Sequence, residues 1–313
     1  MSRSGGAPVA LDAMGGDHAP TVTVAGALRA KAEFGIEVML VGRPGAVAAA
    51  LRTAGAPGEL RIVAADQVVA MDEDPATAMR AKPDASVRVA ARMVAQGHAC
   101  ALVSAGSTGA TLTAALLELG RLPGVRRPVL AVAIPAVAAG AAGRGAVREV
   151  VLVDAGGSPD VQPEALPAYA RMGVAYVQAQ GSDEPRVGLL NVGAEPGKGN
   201  GLVRAAFGLL RDVRGFVGNV EPQVVLAGDV DVVVTDGFTG NVFLKTVEAA
   251  WAHAADGHRS AGAAVLLGIA GEVLVAHGAA DERQLAAALR TAARVGEAGL
   301  SRILGERLTI GDR

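Results

Sequence analysis

The stretch Val9-Ala-Leu-Asp-Ala-Met-Gly-Gly-Asp-His-Ala-Pro20 decides how this chain is read. An apolar run of strand character ends at Asp12 and passes at once into a glycine-rich turn, and such turns lie where a parallel sheet meets ligand. Four other stretches have the same make: Leu102-Val-Ser-Ala-Gly-Ser-Thr-Gly-Ala110, Val151-Leu-Val-Asp-Ala-Gly-Gly-Ser-Pro-Asp160, Gly188-Leu-Leu-Asn-Val-Gly-Ala-Glu-Pro-Gly-Lys-Gly-Asn200 and Val232-Val-Val-Thr-Asp-Gly-Phe-Thr-Gly-Asn241. If all five end strands of one sheet, they converge on one crevice.

Between these exits, short Val/Leu/Ile runs alternate with Ala-rich helical stretches. Strands are expected near 9–11, 38–41, 60–63, 101–103, 129–134, 150–153, 187–190 and 230–234. Helices are expected over 21–33, 46–54, 86–96, 111–119, 163–171, 202–210, 241–254 and 282–295. This βαβ rhythm gives an α/β class with a mostly parallel sheet and helices on both faces. Residues 1–313 read as a single domain, with the small-residue tract Ala136 to Gly145 either a surface loop or the waist between two lobes.

Lys and Arg total 29 against 31 Asp and Glu, so the net charge of -2 gives no electrostatic reason to expect nucleic acid, and any anion site must be local. With 42 glycines in the chain, a lone Gly-x-Gly means little, and only recurrence at strand ends carries weight. Cys100 is the single cysteine, so no internal disulfide forms and a reducing compartment fits; it reads as a core residue. No long apolar segment precedes Asp12, which argues against a signal peptide and for the cytoplasm. The apolar regions 129–143 and 261–278 are interrupted by Pro135, Gly140 and Glu272, and read as buried strands with turns rather than membrane spans.

Glycines at a strand-to-helix turn let backbone N–H groups approach an anion, and the helix start adds partial positive charge. Lys198, between Gly197 and Gly199, adds a cation to such a turn and is the best single phosphate ligand in the chain. A nucleotide P-loop does not fit, because three residues separate Gly193 from Gly197 and Gly199 stands where the Mg-binding hydroxyl would be. No dinucleotide fingerprint follows any strand, and the histidines 18, 98, 253, 258 and 277 show no metal-ligand spacing. Ser104, Ser107 and Thr108 suit helix capping as well as ligand binding. His18 and His277 could each carry a proton near neutral pH. Asp12, Asp154 and Asp236 close strands before glycines, a position suited to orienting the backbone turn.

Taken together, Leu11-Asp-Ala-Met-Gly-Gly-Asp-His-Ala-Pro20, Ser104-Ala-Gly-Ser-Thr-Gly-Ala110, Gly188-Leu-Leu-Asn-Val-Gly with Gly197-Lys-Gly-Asn200, Phe216-Val-Gly-Asn-Val-Glu221, and Asp231 to Asn241 with Leu244-Lys245 resemble the PlsX family of phosphate acyltransferases. The resemblance runs from Val9 to about Ala292. It implies a three-layer α/β/α fold like that of isocitrate and isopropylmalate dehydrogenases, a homodimer, no nucleotide or other cofactor, and transfer of a fatty acyl group from acyl-acyl-carrier-protein to inorganic phosphate at the start of phospholipid synthesis. On the matching positions, Lys198, Asn241 and His18 are the expected catalytic residues. Asp12, Gly15, Gly16, Asp17, Ser104, Gly106, Ser107, Thr108, Asn191, Asn200, Asn219, Asp236, Gly237, Lys245 and His277 are expected to hold phosphate or substrate.

The chain departs from the family at Ser107 and at Gly156-Gly-Ser158, where relatives usually carry Asn and Gly-Ala-Asn, so ligand geometry is expected to shift there. Relatives also carry a long helical insertion of which only Ala249 to Val265 remain here, and weak peripheral attachment at the inner face of the cell membrane is therefore expected. The acidic carrier protein needs a basic surface, for which Arg121, Arg126 and Arg127 form the densest cluster. Three rivals stand beside this reading: a phosphotransacetylase using acyl-coenzyme A, an oxidoreductase of the same fold, and a non-catalytic scaffold.

Overall fold

The computed structural model describes residues 6–137, 147–253 and 261–310. The chain divides into two compact units, Met1–Leu122 with Ile269–Arg302 and Pro123–Gly268 with Ile303–Arg313. The chain passes from one unit to the other after Leu122, Gly268 and Arg302, and most of the 136–145 tract lies outside the described residues.

In the first unit the strands are β1 (Val9–Asp12), β2 (Val38–Gly42), β3 (Arg61–Ala64), β4 (Ala101–Ser104) and, in sequence position, β11 (Val273–Val275). They are all parallel, in the order β3-β2-β1-β4-β11. Leu11 pairs with Leu40 on one side and Val103 on the other, and β1 and β4 are buried at every residue. That is why their sequences are continuous apolar runs and not alternating ones. The helices are α1 (Thr21–Phe34), α2 (Pro44–Thr53), α3 (Pro75–Ala81), α4 (Ser86–Ala95), α5 (Thr108–Glu118) and α10 (Glu282–Ala298). Steps from β1 to β3 run one way and the step from β3 to β4 returns past β1, so right-handed crossovers place their helices on opposite faces. The packing agrees: α1 lies against α2 and α10, and α5 against α3 and α4. The order reverses between β1 and β4, which is where sheets of this design bind ligand.

The second unit holds β5 (Val129–Val137), β6 (Val147–Val153), β7 (Val187–Leu190), β8 (Phe216–Val220), β9 (Val232–Val234) and β10 (Ala264–Leu267), in the order β10-β5-β6-β9-β7-β8. β6, β9, β7 and β8 are parallel, whereas β5 runs antiparallel to both β10 and β6. Only the stretch 138–146 joins β5 to β6, shorter than the dozen or more residues that a parallel crossover needs. A 3-10 turn at Pro163–Ala165 leads into α6 (Leu166–Ala179); α7 (Gly201–Leu210), α8 (Pro222–Ala227) and α9 (Gly237–His253) follow. The last helix, α11 (Leu300–Ile310), contributes its residues through Arg302 to the first unit and the rest to the second.

Helix ends follow local chemistry. Asp281 and Gln284 form a reciprocal capping box at α10, whose far end closes on Gly299 in the left-handed region at φ 63°. Of the 249–265 remnant, α9 reaches His253 and β10 begins at Ala264, with His258 and Arg259 outside the described residues. No helix among the described residues is long and apolar enough to cross a membrane. The two apolar regions supply β5, and β10 with β11.

Candidate active site

The five glycine-rich turns leave the C-terminal ends of β1 and β4 in the first unit and of β6, β7 and β9 in the second. In the first unit the β1 and β4 turns are stitched together. The Ser104 hydroxyl donates to the Asp12 carboxylate at 2.7 Å and accepts from the Gly106 amide at 3.1 Å, while Met14 N–H donates to the other Asp12 oxygen at 3.2 Å. Asp12 and Ser104 are buried, 3% and 0% exposed, so they set the positions of the turns. Burial pushes the Asp12 carboxyl up from its ordinary value, and hydrogen bonds from Ser86, Ser104, Met14 and Gly15 pull it back. A Cβ on Gly15 would stand 2.6 Å from Asp12 Oδ2 and 2.8 Å from the Gly106 nitrogen, so only glycine lets the two turns meet. The N–H groups of Gly16 and Ser107 have no acceptor among the described residues. Ser107 caps α5, its Oγ 3.5 Å from the Ala110 nitrogen, with Thr108 as the first helical residue.

Asp17 and His18 are exposed on the β1 turn, with Asp17 N–H held by the Gly278 carbonyl at 2.9 Å. His277 is exposed on the turn after β11, and its Nδ1 accepts from the Ala279 amide at 3.1 Å. Arg121 also belongs to this unit, bridging to Ile269 through its backbone.

In the second unit, Asp154 organises the turn after β6. Its carboxylate, fully buried, accepts N–H groups from Leu130, Gly156, Gly157 and Ser158 at 2.7–3.2 Å. Burial pushes this carboxyl up and the four amides oppose the shift. The start of α9 is pressed against that turn. Asp236 caps the helix, accepting from the Thr239 amide at 2.8 Å and its hydroxyl at 2.7 Å. Gly237 N–H donates to Ser158 O at 2.9 Å, and Asn241 Nδ2 to Ala155 O at 3.0 Å. A Cβ on Gly240 would meet Asp154 O at 1.9 Å, which explains the glycine in Asp-Gly-Phe-Thr-Gly-Asn.

The Lys198 loop is clamped by two buried asparagines on neighbouring strands. Asn191, after β7, donates to Lys198 O at 3.1 Å, and Asn219, on β8, donates to Glu195 O at 2.8 Å. Asn200 caps α7 through the Val203 amide at 3.0 Å. The Lys198 stem folds over Gly193, where a Cβ would meet its Cγ at 3.3 Å. Lys198 is exposed and makes no ion pair among the described residues, so its ammonium can meet an anion. Lys245, by contrast, faces Glu248 at 3.7 Å on α9. Asn219 Oδ1 is buried and unpartnered.

Arg126 and Arg127 are exposed in the second unit and line a cavity with Tyr169, a buried residue that no motif flags. Ser86, which lies with Asp12 in the β1/β4 crevice, is likewise silent in the sequence, since it is simply the first residue of α4. Among the described residues no group of His, Cys, Asp and Glu is placed to hold a metal. The first unit offers amide donors and hydroxyls at its parallel-strand exits, and the second offers Lys198 on a clamped loop, unpaired among the described residues; each kind of donor suits an oxyanion such as phosphate.

Comparison with known proteins gives the fold and the family. The fold is shared with a phosphotransacetylase from Streptococcus pyogenes (TM-score 0.66, 18% identity, 93% of this chain and 94% of that one). It is shared also with a 4-hydroxythreonine-4-phosphate dehydrogenase from Klebsiella pneumoniae (TM-score 0.59, 14% identity, 94% and 99% covered). A phosphate acyltransferase from Thermus thermophilus is 43% identical, with 96% of this chain and 98% of the relative covered. Another from Heliobacterium modesticaldum is 48% identical over 76% of this chain and 69% of its own length. Residues 7–256 match the family described as fatty acid synthesis protein, and the chain belongs to that family.

Proposed function

We propose that the chain transfers a fatty acyl group from acyl-acyl-carrier-protein to inorganic phosphate, giving acyl phosphate for phospholipid synthesis. The observation that carries this reading is the family match over residues 7–256, with relatives named phosphate acyltransferase across most of the chain. A phosphate oxygen attacks the thioester carbonyl, the new O–C bond forms as the C–S bond breaks, and the phosphate proton ends on the departing thiol. Binding and orientation supply much of the rate in such a transfer, and donors aimed at the developing oxyanion supply more.

In the second unit, Lys198 neutralises phosphate charge and Asn241 offers its amide edge, with Asn191, Asn200, Asn219, Asp236, Gly237 and Lys245 shaping their surroundings. In the first, the amides of Gly16 and Ser107 and the hydroxyls of Ser107 and Thr108 bind anion, whereas the Gly15 and Gly106 amides, expected to do so, donate to Asp12 O and Ser104 Oγ instead; Asp12, Asp17, Ser104 and His277 hold the turns, and His18 handles the proton. Support for Lys198 comes from its exposed, unpaired ammonium on a clamped loop. We infer that the partners are the carrier protein, docking at Arg121, Arg126 and Arg127, and a second copy in a homodimer. We place the enzyme in the cytoplasm with weak peripheral contact at the membrane's inner face. Incubation with palmitoyl-carrier protein and phosphate, followed by hydroxylamine trapping, should yield palmitoyl hydroxamate only when phosphate is present. Product from palmitoyl-coenzyme A alone would move the assignment to a phosphotransacylase of coenzyme A thioesters.

A further inference from the structure

Between β3 and α4 the chain makes an excursion over the crevice between β1 and β4, all of it within the first unit. Its stem is tied: Asp66 N–H donates to the Asp84 carboxylate at 2.8 Å, Asp84 N–H to Gln67 Oε1 at 2.9 Å and Ser86 N–H to Gln67 O at 3.0 Å. Its far half is α3, capped by Asp74 and seated on α5, where a Cβ on Gly109 would stand 2.7 Å from Pro75 Cγ. Between these fixed parts runs a strap, Val68-Val-Ala-Met-Asp-Glu73.

Val68 and Val69 line the crevice with Asp12, Gly15, Gly106 and Ser107, and the space left there is about 10 Å³. That holds one water at most. At the rim, the exposed Met71 brings its Cε to 3.3 Å from where a Cβ on Gly278 would stand, so the strap also covers the turn after β11. Bulk water is thereby kept out of the crevice in which the Ser107 turn lies.

One side chain holds the strap down. The Lys82 ammonium, just past the end of α3, donates to Val68 O at 2.8 Å and to both Glu73 carboxylate oxygens at 2.6 Å, and Glu73 Oε2 accepts from Ala70 N–H at 2.7 Å. It grips both ends of the strap at once. The hydrogen bond from Lys82, before any other cause, holds the Glu73 carboxyl below its ordinary value. Among the described residues, 68–72 make no other hydrogen bond to anything outside the strap. The two side chains of the clasp are 27% and 35% exposed, so global stability owes it little, and its effect lies in where it puts Val68 and Val69.

We propose that Lys82 is a positioning residue of the transfer: through Val68 O and Glu73 it holds the strap over the β1/β4 crevice and keeps water from competing with phosphate for the acyl carbonyl. Attack by water would form an O–C bond and break the same C–S bond, its proton passing to the thiol, and would give free fatty acid in place of acyl phosphate. The inference rests on the acyl-transfer reading above.

The test uses Lys82→Met, with Glu73→Ala opening the clasp from the other side and Lys82→Arg as the conservative repair. With palmitoyl-carrier protein, both opened variants are expected to raise KM for phosphate by about three- to tenfold while kcat stays within about twofold of the wild type. Palmitate released per palmitoyl phosphate formed should rise by at least about threefold, and Lys82→Arg should return both quantities toward the wild type. A clasp serving stability alone would lower the melting temperature and leave KM and the palmitate share unchanged, which would overturn the proposal. Charge acting by itself would raise KM in Lys82→Met and lower it in Glu73→Ala, and such opposite shifts would overturn it too. Thermolysin, which cuts before apolar residues, should cleave the opened variants within 68–71 at least about fivefold faster than the wild type, a readout that needs no turnover. If the wild type forms no palmitoyl phosphate but cleavage of the strap depends on Lys82, the transfer reading falls and the clasp stands. If the wild type transfers and neither KM, the palmitate share nor cleavage responds to Lys82, the clasp falls and the transfer reading stands.

Discussion

Gly240→Ala should be among the most damaging one-methyl changes in the second unit. The new Cβ would stand 1.9 Å from Asp154 O and 3.0 Å from its carbonyl carbon, where real Cβ contacts essentially never fall under 3.0 Å. Because both partners are backbone, α9 and the Asp154–Ser158 turn must part by about 1 Å, a displacement of the kind that costs roughly 1–3 kcal/mol in a packed interior. That movement stretches the Asn241–Ala155 and Gly237–Ser158 hydrogen bonds, now 3.0 and 2.9 Å. Each contributes about 0.5–1.5 kcal/mol. Alanine recovers about 1 kcal/mol of helix propensity, so the net loss is roughly 1–5 kcal/mol. Urea unfolding followed by circular dichroism should show the midpoint falling by about 1 M, for a loss near 3 kcal/mol and a slope near 3 kcal/mol/M. Gly201→Ala is the control: it opens α7, has nothing within 4 Å of its added methyl, and should match or slightly exceed the wild type. A Gly240→Ala protein within about 0.5 kcal/mol of the wild type would refute the close approach of α9 to this turn.

Ser104→Ala removes the hydroxyl that joins Asp12 to the Gly106 amide, leaving a buried carboxylate short of a donor; a loss of about 1–3 kcal/mol is expected, checked by thermal melting. Glu118 lies between Arg88 at 2.5 Å and Arg92 at 3.1 Å; burial works to raise its carboxyl, but the Arg92 and Arg88 guanidiniums outweigh it and hold it below the ordinary value. Its contribution is thus present above pH 4.5 and lost as the pH falls below, so Glu118→Gln should lower the urea midpoint at neutral pH and converge on the wild type once the pH is low enough to protonate the ion-paired carboxyl. Burial pushes the Cys100 thiol up to about 11, and Ellman's reagent at pH 8 should react slowly with the native chain and stoichiometrically once it is unfolded.

The strand exits are legible in the sequence because a strand buried on both faces needs an unbroken apolar run, and β1, β4, β7 and β9 are such runs closed by polar and glycine residues. Strand β8 is hidden because Phe216-Val-Gly-Asn-Val220 carries Gly218 at φ 111° and a register shift opposite Val187 and Gly188. The short helices α3 and α8 fall below the length at which a 3.6-residue period can show, although Asp74 with Pro75 marks the start of α3. Helix α11 follows the α10 cap at Gly299 with no loop to announce it. At the candidate site, the glycines and polar closers declare themselves, but their contacts do not. Nothing in Asp12, Asn191 or Asn219 as residue types shows that the first ties two turns together and the other two clamp the Lys198 loop; those roles come from neighbouring strands far apart in sequence. Tyr169 carries no motif, and only its full burial beside the β6 turn draws notice to it.

The account turns on Lys198 as the cation that holds inorganic phosphate. The most direct measurement is the rate of palmitoyl phosphate formation against phosphate concentration, for the wild type and Lys198→Met, at saturating palmitoyl-carrier protein. Loss of a charged contact made only by the phosphate predicts kcat/KM for phosphate at least a hundredfold lower, equivalent to about 3 kcal/mol, with the melting temperature unchanged because the exposed ammonium supports no other contact among the described residues. A Lys198→Met enzyme with the wild-type phosphate dependence, or a wild type whose product does not depend on phosphate at all, would contradict it.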